Sequence, residues 1–325
     1  MKAIVNTGPD RLELQEVPTP EPGKEQVRVK VRACGICATD LCMMAGWART
    51  GFPAIPGHEW SGIVDAVGAG VDAGLAGKPC VAENVLRDGG EVGFEHSGGY
   101  GEYLITDAKN VQVLPDSLSA VEAALIEPLA VSVRALNRLT LTHKNGALIF
   151  GDGPIGMLML MLLRRAGVYP LYLAGGRNER LSLCRELGAQ GTINYHDAGK
   201  TLADTIASVT RTFSFPNLIE ASGSVTAMKT AMELGAAGAK ILVIGDYGTA
   251  TADFPWNMLL HKELKLIGSN ASAAAWPEAV AIACEPSFPL KRLVSHVLPY
   301  PQFAEGIELA KSRRGDVVKV VLLWE

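Results

Sequence analysis

The sequence predicts an α/β protein in which a doubly wound parallel sheet is inserted into a mainly β domain. Short β-type runs punctuated by glycine and proline fill residues 1 to about 122 and return after about 270. Between them, apolar strands alternate with helical patterns, which is typical of a parallel sheet. At 325 residues the chain also exceeds the size at which single cores stop growing. We therefore predict one domain from 1–122 plus 270–325 and a second from 123–269.

The individual elements follow from apolar periodicity and from turn residues. In the first domain, strands are predicted at 26–33, 61–67 and 103–106, and β-like segments return at 293–298 and 317–323. A helical pattern over 120–139 marks the change of domain. In the second domain, strands are predicted at 147–150, 171–174, 218–221, 240–244 and 264–267. Helices are predicted at 155–166, 180–187 and 225–234, and a solvated helix over 197–212.

The composition is that of a globular enzyme. Hydrophobic residues make up 48% of the chain and charged residues 20%, with a net charge of -4, so a nucleic-acid partner is not expected. The six cysteines show no disulfide spacing, which favours a reducing cytoplasm. The N-terminus lacks the apolar core of a signal peptide, and a glycine-rich turn interrupts the apolar stretch 147–163. No membrane association is therefore expected.

Two short motifs supply the ligands of an open zinc site. Cys37, in the motif Gly-Ile-Cys-Ala-Thr-Asp at 35–40, offers a thiolate, and His58 and Glu59 offer an imidazole and a carboxylate. Such a set fills three positions of a tetrahedral zinc and leaves the fourth open to water or substrate. About 20 residues separate Cys37 from His58, so the fold must bring these ligands together. We expect one zinc ion, in a catalytic site.

A glycine-rich turn indicates a dinucleotide site. The segment Gly-Asp-Gly-Pro-Ile-Gly follows an apolar strand and precedes a helical pattern. In this context the glycines allow a tight turn and close approach of the backbone to a pyrophosphate, while the helix N-terminus attracts phosphate groups. An ordinary structural turn is the alternative. The candidate binding residues are Gly151, Gly153, Pro154, Ile155 and Gly156.

The end of the second strand of this domain favours NADP over NAD. An NAD site has Asp or Glu about 20 residues after the turn, but this sequence has Gly175, Gly176 and Arg177. Without a carboxylate there is no repulsion toward a 2′-phosphate, to which Arg177 can donate charge-assisted hydrogen bonds. Tyr195, where the third strand should end, can pack on the adenine. The alternatives are a solvated surface arginine and an ordinary strand-end aromatic residue.

Together these motifs resemble those of the zinc-dependent medium-chain dehydrogenase/reductase family, which includes alcohol, polyol and threonine dehydrogenases. The resemblance covers nearly the whole chain, and its most specific part is Gly-His-Glu-Trp-Ser-Gly at 57–62. The motif at 34–40 is similar to the family's first-ligand motif, with Ala38 in place of a common glycine. The resemblance implies a Rossmann domain inserted in a GroES-like catalytic domain. It also implies a homodimer or homotetramer formed through Rossmann-domain edges.

The resemblance assigns roles in metal binding. Cys37 and His58 would bind zinc, and Glu59 would be a direct or an exchangeable ligand. Glu127, in the segment Ile-Glu-Pro-Leu-Ala, resembles the acidic residue that polyol and threonine dehydrogenases place at or beside the metal. Capping of a helix is the alternative role for Glu127. Many members hold a second, structural zinc with four cysteines, but the corresponding stretch 79–100 contains only Cys80, so no second zinc is expected.

The resemblance also assigns roles in catalysis. Thr39 would pass the proton of the substrate outward, and Asp40 would orient His58, as metal-bound histidines generally require. The expected reaction is reversible hydride transfer between a nicotinamide cofactor and a secondary alcohol, a polyol or an amino alcohol. Glu127 favours the polyol or threonine branch, whereas Arg177 and Tyr195 resemble the NADP-using secondary-alcohol branch. The alternatives are a zinc-free quinone or enone reductase of the same superfamily and a non-catalytic redox sensor.

Overall fold

The computed structural model describes residues 1–141, 144–197, 201–312 and 314–324. By its internal contacts the chain divides into two compact units. The first unit comprises Met1–Ala130 and Ala273–Glu325, and the second comprises Val131–Ser272. The predicted fold class is confirmed, because one unit is mainly β and the other, inserted within it, carries a parallel sheet. The predicted domain limits, at 122/123 and 269/270, stay a prediction.

In chain order the strands are β1 (Lys2–Gly8), β2 (Arg11–Glu16), β3 (Gln26–Ile36), β4 (Glu59–Val67), β5 (Pro79–Ala82), β6 (Tyr103–Asp107), β7 (Val111–Val113), β8 (Ala147–Phe150), β9 (Leu171–Gly175), β10 (Gly191–Asn194), β11 (Phe215–Glu220), β12 (Gly235–Val243), β13 (Lys265–Gly268), β14 (Val294–Pro299) and β15 (Lys319–Leu323). The α-helices are α1 (Ala38–Met44), α2 (Ala120–Ala123), α3 (Ile126–Leu139), α4 (Pro154–Arg165), α5 (Asn178–Leu187), α6 (Leu202–Thr210), α7 (Val225–Leu234), α8 (Trp256–His261), α9 (Trp276–Ala283) and α10 (Phe303–Ser312). Among the described helices, none has the length and apolar character needed to cross a membrane.

The main sheet of the first unit brings three strand ends together. Its order is β14-β15-β3-β4-β5-β7, and β6 also pairs with β3. From Gln26 to Ala33 alternate residues of β3 are buried, in line with the period of two along a strand, and the last residues, up to Ile36, are all buried. Because β3 lies between β4 and β15, the antiparallel register sets Gly35 opposite Glu59 and Ile36 opposite Val320. The end of β3, the start of β4 and the start of β15 therefore lie at one end of the sheet.

The second unit contains the predicted parallel sheet. Its strand order is β10-β9-β8-β11-β12-β13, and the ladders between neighbouring strands are all parallel. The strand order reverses between β8 and β11. In open sheets of this kind, ligands bind outside the carboxyl ends of the strands at that point. The glycine-rich turn at 151–156 directly follows β8, so the fold sets it at this position.

Three sequence-based element predictions differ from the structure. The helical pattern over 120–139 is broken into α2 and α3, and Pro128 lies in the first turn of α3. A proline is tolerated in a first turn but not in a helix interior, so the helix restarts just before it. The β-like tail also contains α9 and α10. Within 197–212 the helix is α6, and residues 198–200 lie outside the described residues.

The cysteines differ in exposure, and this leads to a first prediction. The structure leaves all six unpaired, with Cys42 and Cys284 exposed and Cys80 and Cys184 buried. Burial raises the pKa of the Cys80 and Cys184 thiols to about 12. The thiolate is the reactive form of cysteine. Of these four residues, we therefore expect iodoacetamide at pH 8 to alkylate Cys42 and Cys284 and to leave Cys80 and Cys184 unmodified. Peptide mass spectrometry of the native protein measures the alkylation of each cysteine. The unfolded protein, in which all six cysteines should react, is the control.

Candidate functional site

Three predicted ligands converge in the first unit. Cys37 directly precedes α1, and His58 directly precedes β4, which begins at Glu59. One ligand atom from each of the three lies within 4.8 Å of the other two. Within the described ranges this is the one group of three or more His, Cys, Asp or Glu residues arranged to hold a metal. Sulfur, nitrogen and oxygen donors at this mutual distance fit a zinc ion.

Asp40 holds the His58 ring. Asp40 Oδ1 lies 2.9 Å from His58 Nδ1, and Asp40 Oδ2 accepts a hydrogen bond from the backbone N–H of Cys37 at 2.8 Å. Burial alone would lower the pKa of His58, but the charge and hydrogen bond of Asp40 outweigh it and raise this pKa well above its ordinary value. The contact occupies Nδ1 and leaves Nε2 for a metal. This geometry supports the predicted orienting role of Asp40.

The sequence-based reasoning missed Lys319, the first residue of β15. Its Nζ donates to both carboxylate oxygens of Glu59, each at 2.7 Å, and lies 3.3 Å from the carbonyl oxygen of Ile36. Both charged side chains are buried. Burial would lower the pKa of Lys319, but the negative charge of Glu59 outweighs it and raises this pKa. The signal in the sequence is a single lysine inside the apolar run 317–323, since a buried lysine requires a partner.

The Lys319 contact bears on how Glu59 can bind a metal. The carboxylate is within reach of Cys37 and His58, yet a cation already pairs with both of its oxygens. A zinc ion would therefore compete with the Lys319 ammonium for this carboxylate. Such competition fits an exchangeable ligand, one of the two predicted roles of Glu59.

Glu127 is not a member of the compact group, although it is close enough to interact with it electrostatically. Burial raises the pKa of Glu127 to about 7, because it disfavours the charged carboxylate. The charge of His58 acts in the opposite direction, and the charge of Glu59 in the same direction. A nearby cation would favour the ionised form of a carboxyl group with such a raised pKa. The predicted position of Glu127 at or beside the metal stays a prediction.

Thr39 lies in the first turn of α1, next to the ligand Cys37. Its Oγ1 is 3.7 Å from Cys37 Sγ, and its side chain is half-buried. The hydroxyl group can both donate and accept a hydrogen bond. Its predicted role in proton transfer stays a prediction.

Backbone geometry explains two of the motif glycines. Gly57 has φ +99°, and a Cβ there would lie 2.9 Å from Cys34 Sγ and from the Tyr100 backbone nitrogen. At Gly35, a Cβ would collide with the Glu59 carboxylate. A side chain at Gly35 would displace the Glu59 carboxylate, and one at Gly57 would collide with the core directly before His58, so both glycines are structural requirements of the site.

The segment 79–100, in which no second zinc site is expected, supports the position of His58. Asn84 Nδ2 donates to the His58 carbonyl oxygen at 2.9 Å, and Asn84 Oδ1 accepts from Trp60 Nε1 at 3.0 Å. The Phe94 ring lies 5.1 Å from the His58 ring, measured between centroids. These contacts fix the backbone and one face of His58, and sequence reasoning had assigned them no role.

In the second unit, the glycine-rich turn has the shape of a phosphate cradle. Gly151 has φ +118°, which strongly favours glycine. A Cβ at Gly153 would meet no atom within 4 Å, so the space in front of this backbone is open. A Cβ at Gly156 would collide with the Gly151 carbonyl group, and α4 begins at Pro154 with Ile155 in its first turn. Open space at a helix N-terminus with N–H donors fits a dinucleotide pyrophosphate.

The segment after β9 makes contacts within the protein that its sequence does not predict. The Arg177 guanidinium is paired with Asp152, whose Oδ1 lies 2.6 Å from Arg177 Nη1. Tyr195 packs on Gly176, where an added Cβ would collide with its phenol ring, and Tyr195 remains 46% exposed. Gly175 in turn faces the Asp152 side chain. The predicted cofactor residues are therefore brought together, but Arg177 already has an anionic partner.

Two protein-family models match the chain. The model of the zinc-binding dehydrogenase family matches residues 154–285, and that of the alcohol dehydrogenase GroES-like domain matches residues 23–116. Together they match more than half of the chain. Both matches agree with the fold, since the first begins within the glycine-rich turn, at the first residue of α4, and the second contains Cys37, His58 and Glu59.

Curated proteins similar to this chain include several dehydrogenases. Starvation-sensing protein RspB of Escherichia coli is 26% identical to this chain, and the alignment covers 100% of this chain and 99% of RspB. A sorbitol dehydrogenase of Halalkalibacterium halodurans is 26% identical over 99% of both chains. An L-threonine 3-dehydrogenase of Rhizobium etli is 27% identical over 100% of this chain and 99% of its own.

Two similar solved structures contain a nicotinamide cofactor. The structure described as a short chain alcohol dehydrogenase (rspB) from E. coli CFT073, complexed with NADH, has a TM-score of 0.92 and 26% identity, covering 100% of this chain and 99% of its own. A putative zinc-binding dehydrogenase from Sinorhizobium meliloti 1021, bound to NADP, has a TM-score of 0.90 and 25% identity, covering 99% of each chain. Similar folds thus hold either cofactor.

Proposed function

This chain belongs to the zinc-dependent medium-chain dehydrogenase/reductase family, and from that premise we propose that it is a zinc-dependent enzyme. The proposed reaction is hydride transfer between a nicotinamide cofactor and a secondary alcohol, a polyol or an amino alcohol. The observation that carries the proposal is the convergence of Cys37, His58 and Glu59, because a zinc-free reductase has no use for these three donors. The cradle at 151–156 supports the cofactor.

The side chains of the site have different proposed roles. Cys37 and His58 would hold the zinc ion, together with Glu59 or Glu127. When bound, zinc polarises the substrate oxygen and lowers the pKa of its hydroxyl group. Thr39 accepts the proton that this hydroxyl group loses and passes it outward. Asp40 keeps the His58 ring in one orientation.

The substrate class is tested by a turnover screen. The similarity to a sorbitol dehydrogenase and to an L-threonine 3-dehydrogenase supports a polyol or an amino alcohol. Zinc-loaded protein would be assayed with NADP and with NAD on secondary alcohols, polyols and amino alcohols. We expect turnover in at least one of these classes. Reduction of an enone by metal-free protein, with no alcohol oxidised by the loaded one, would instead support the alternative reductase.

For the cofactor we propose NADP in preference to NAD. The absence of an acid at the end of β9, and the approach of Gly176, Arg177 and Tyr195, support this preference. Arg177→Ala is expected to lower kcat/KM for NADPH about tenfold, because one charge-assisted hydrogen bond is lost from a guanidinium whose Nη1 also pairs with Asp152. The value for NADH should change less than about threefold. Steady-state kinetics with both cofactors measure the ratio.

Arg185→Ala is the matched control, since Arg185 is an exposed arginine in the last turn of α5. It removes the same charge from α5, the helix that Arg177 directly precedes, without touching the segment after β9. An unaltered NADPH/NADH ratio in the Arg177 variant would show that Arg177 does not contact the 2′-phosphate.

Two further features support proposals about the cellular compartment and the oligomeric state. The six unpaired thiols support a reducing compartment such as the cytoplasm. The exposed apolar side chains Trp256, Leu260 and Leu266 lie on α8 and on the edge strand β13, and they support a homodimer or homotetramer. Light scattering of the purified protein at several concentrations tests the oligomeric state.

A further inference from the structure

Asp152, the second residue of the glycine-rich turn, is buried at the end of the parallel sheet. Its Oδ2 accepts hydrogen bonds from the backbone N–H groups of Gly176 and Arg177, both at 2.9 Å. Its Oδ1 accepts from Arg177 Nη1 at 2.6 Å. One carboxylate therefore occupies three donors of the segment after β9.

These donors are the ones that the proposed 2′-phosphate would need. A carboxylate and a phosphate are both anionic acceptors, so they compete for the same N–H groups. Arg180 adds one more cation, with its Nη1 4.0 Å from Asp152 Oδ1. The three side chains Asp152, Arg177 and Arg180 together carry one positive charge, whereas a 2′-phosphate brings roughly two negative charges. A ribose hydroxyl group, in contrast, can donate to the Asp152 carboxylate.

Gly175 makes this arrangement possible. A Cβ at Gly175 would lie 2.8 Å from Asp152 Cγ and Oδ2, closer than atoms in contact can approach. A side chain at 175, such as the acid found there in many NAD sites, would exclude Asp152 from this position. The glycine thus accommodates a carboxylate that comes from the turn after β8 instead of from the end of β9.

We propose that Asp152 is a specificity-determining residue, which limits the preference for NADP by holding Arg177 and the neighbouring N–H donors. The inference deepens the proposed function and rests on it, since it assumes that the adenosine end of a nicotinamide cofactor binds here. Asp152 supplies the acid that the end of β9 lacks. Removing its charge releases Arg177 for a 2′-phosphate.

Binding of two cofactor fragments tests the proposal without turnover. Isothermal titration calorimetry on the full chain measures the affinities of 2′,5′-ADP and 5′-AMP, which differ by the 2′-phosphate. In Asp152→Asn we expect the affinity for 2′,5′-ADP relative to 5′-AMP to rise about ten- to a hundredfold, as for one charge-assisted hydrogen bond regained. Asp152→Ser is a second variant for the case that the asparagine variant does not fold, and the same direction is expected.

Two further variants separate this role from general electrostatics. Glu179→Gln removes one negative charge from the exposed first turn of α5, and it should leave the affinity ratio within about twofold. In an Arg177→Ala background, the gain from Asp152→Asn should be lost, because the two effects are coupled. If Asp152→Asn raised the 2′,5′-ADP/5′-AMP affinity ratio equally in the Arg177→Ala background, Asp152 would not act through Arg177.

The remaining outcomes are also decisive. If 5′-AMP binds and the ratio is unchanged or lower in folded Asp152 variants, the proposal about Asp152 is wrong while the proposed cofactor stands. If neither fragment binds to any variant, the proposed nicotinamide cofactor fails and the inference fails with it.

Discussion

Replacing Cys37 with serine is expected to abolish stoichiometric zinc binding and to lower turnover at least about a thousandfold. The thiolate is the softest donor of the compact group, and a serine hydroxyl group is a poor zinc ligand. Without the metal, the substrate oxygen loses a Lewis acid that contributes several kcal/mol to the transition state. His58→Ala should have the same effect, because it removes the imidazole donor. Metal analysis by mass spectrometry and kcat measurements on the same samples test both variants.

Cys42→Ser is the matched control. Cys42 is an exposed cysteine of α1, five positions after Cys37, and it is not part of the compact group. We expect its zinc content and its turnover to match those of the unmodified chain. If the Cys37 variant lost its zinc and kept full turnover, the metal would have no catalytic role and the zinc-free alternative would be favoured.

Replacing Lys319 with methionine should destabilise the fold by about 3–5 kcal/mol, the usual cost of leaving a buried charge without its partner. Methionine is similar in length, so the loss reports on the charge of Glu59 more than on packing. The pKa of Lys319 is raised in the folded state, so its contribution is fully present below the ordinary lysine pKa of about 10.4 and is lost only as the pH rises further. Urea unfolding of metal-free protein near pH 7 therefore measures the whole effect.

Two variants serve as controls for this loss. Lys311→Met breaks an exposed ion pair with Asp10, in which Lys311 Nζ lies 3.1 Å from Asp10 Oδ1, and should cost at most about 1 kcal/mol. Adding Glu59→Gln to Lys319→Met removes the uncompensated charge and should restore much of the lost stability. A loss below about 1 kcal/mol in Lys319→Met alone would show that the pair does not stabilise the fold.

The inserted parallel sheet could be predicted because its central strands β8, β9 and β11 are almost entirely buried. Such strands read as short apolar runs, and the helices between them show a clear period. The observed strands β8 and β9 begin where the sequence predicts them. The predicted limits between the domains stay a prediction, and α3 runs without a break across Ala130, where the first segment of the first compact unit ends. Helices α9 and α10 were missed because both are short and lie among β-like segments.

The metal ligands could be predicted because few residue types bind zinc. Cys37, His58 and Glu59 stand in short motifs, and their chemistry is visible without the fold. Lys319 and Asp152 could not be assigned in the same way, because their roles depend on partners far along the chain. Lys319 contacts Glu59 across 260 positions, through the register of β15 on β3, and Asp152 contacts the backbone of a residue 25 positions later.

The distance of 260 positions between Glu59 and Lys319 also has a consequence for biosynthesis. At 5–20 residues per second, the ribosome makes Lys319 about 10 to 50 s after Glu59. During this interval the Glu59 carboxylate lacks its ammonium partner, and β3 lacks one neighbouring strand. The second unit, which is continuous from 131 to 272, has all its strands by then and is expected to fold first. Formation of the buried Glu59–Lys319 pair beside the metal ligands is thus a late step in the maturation of the nascent chain.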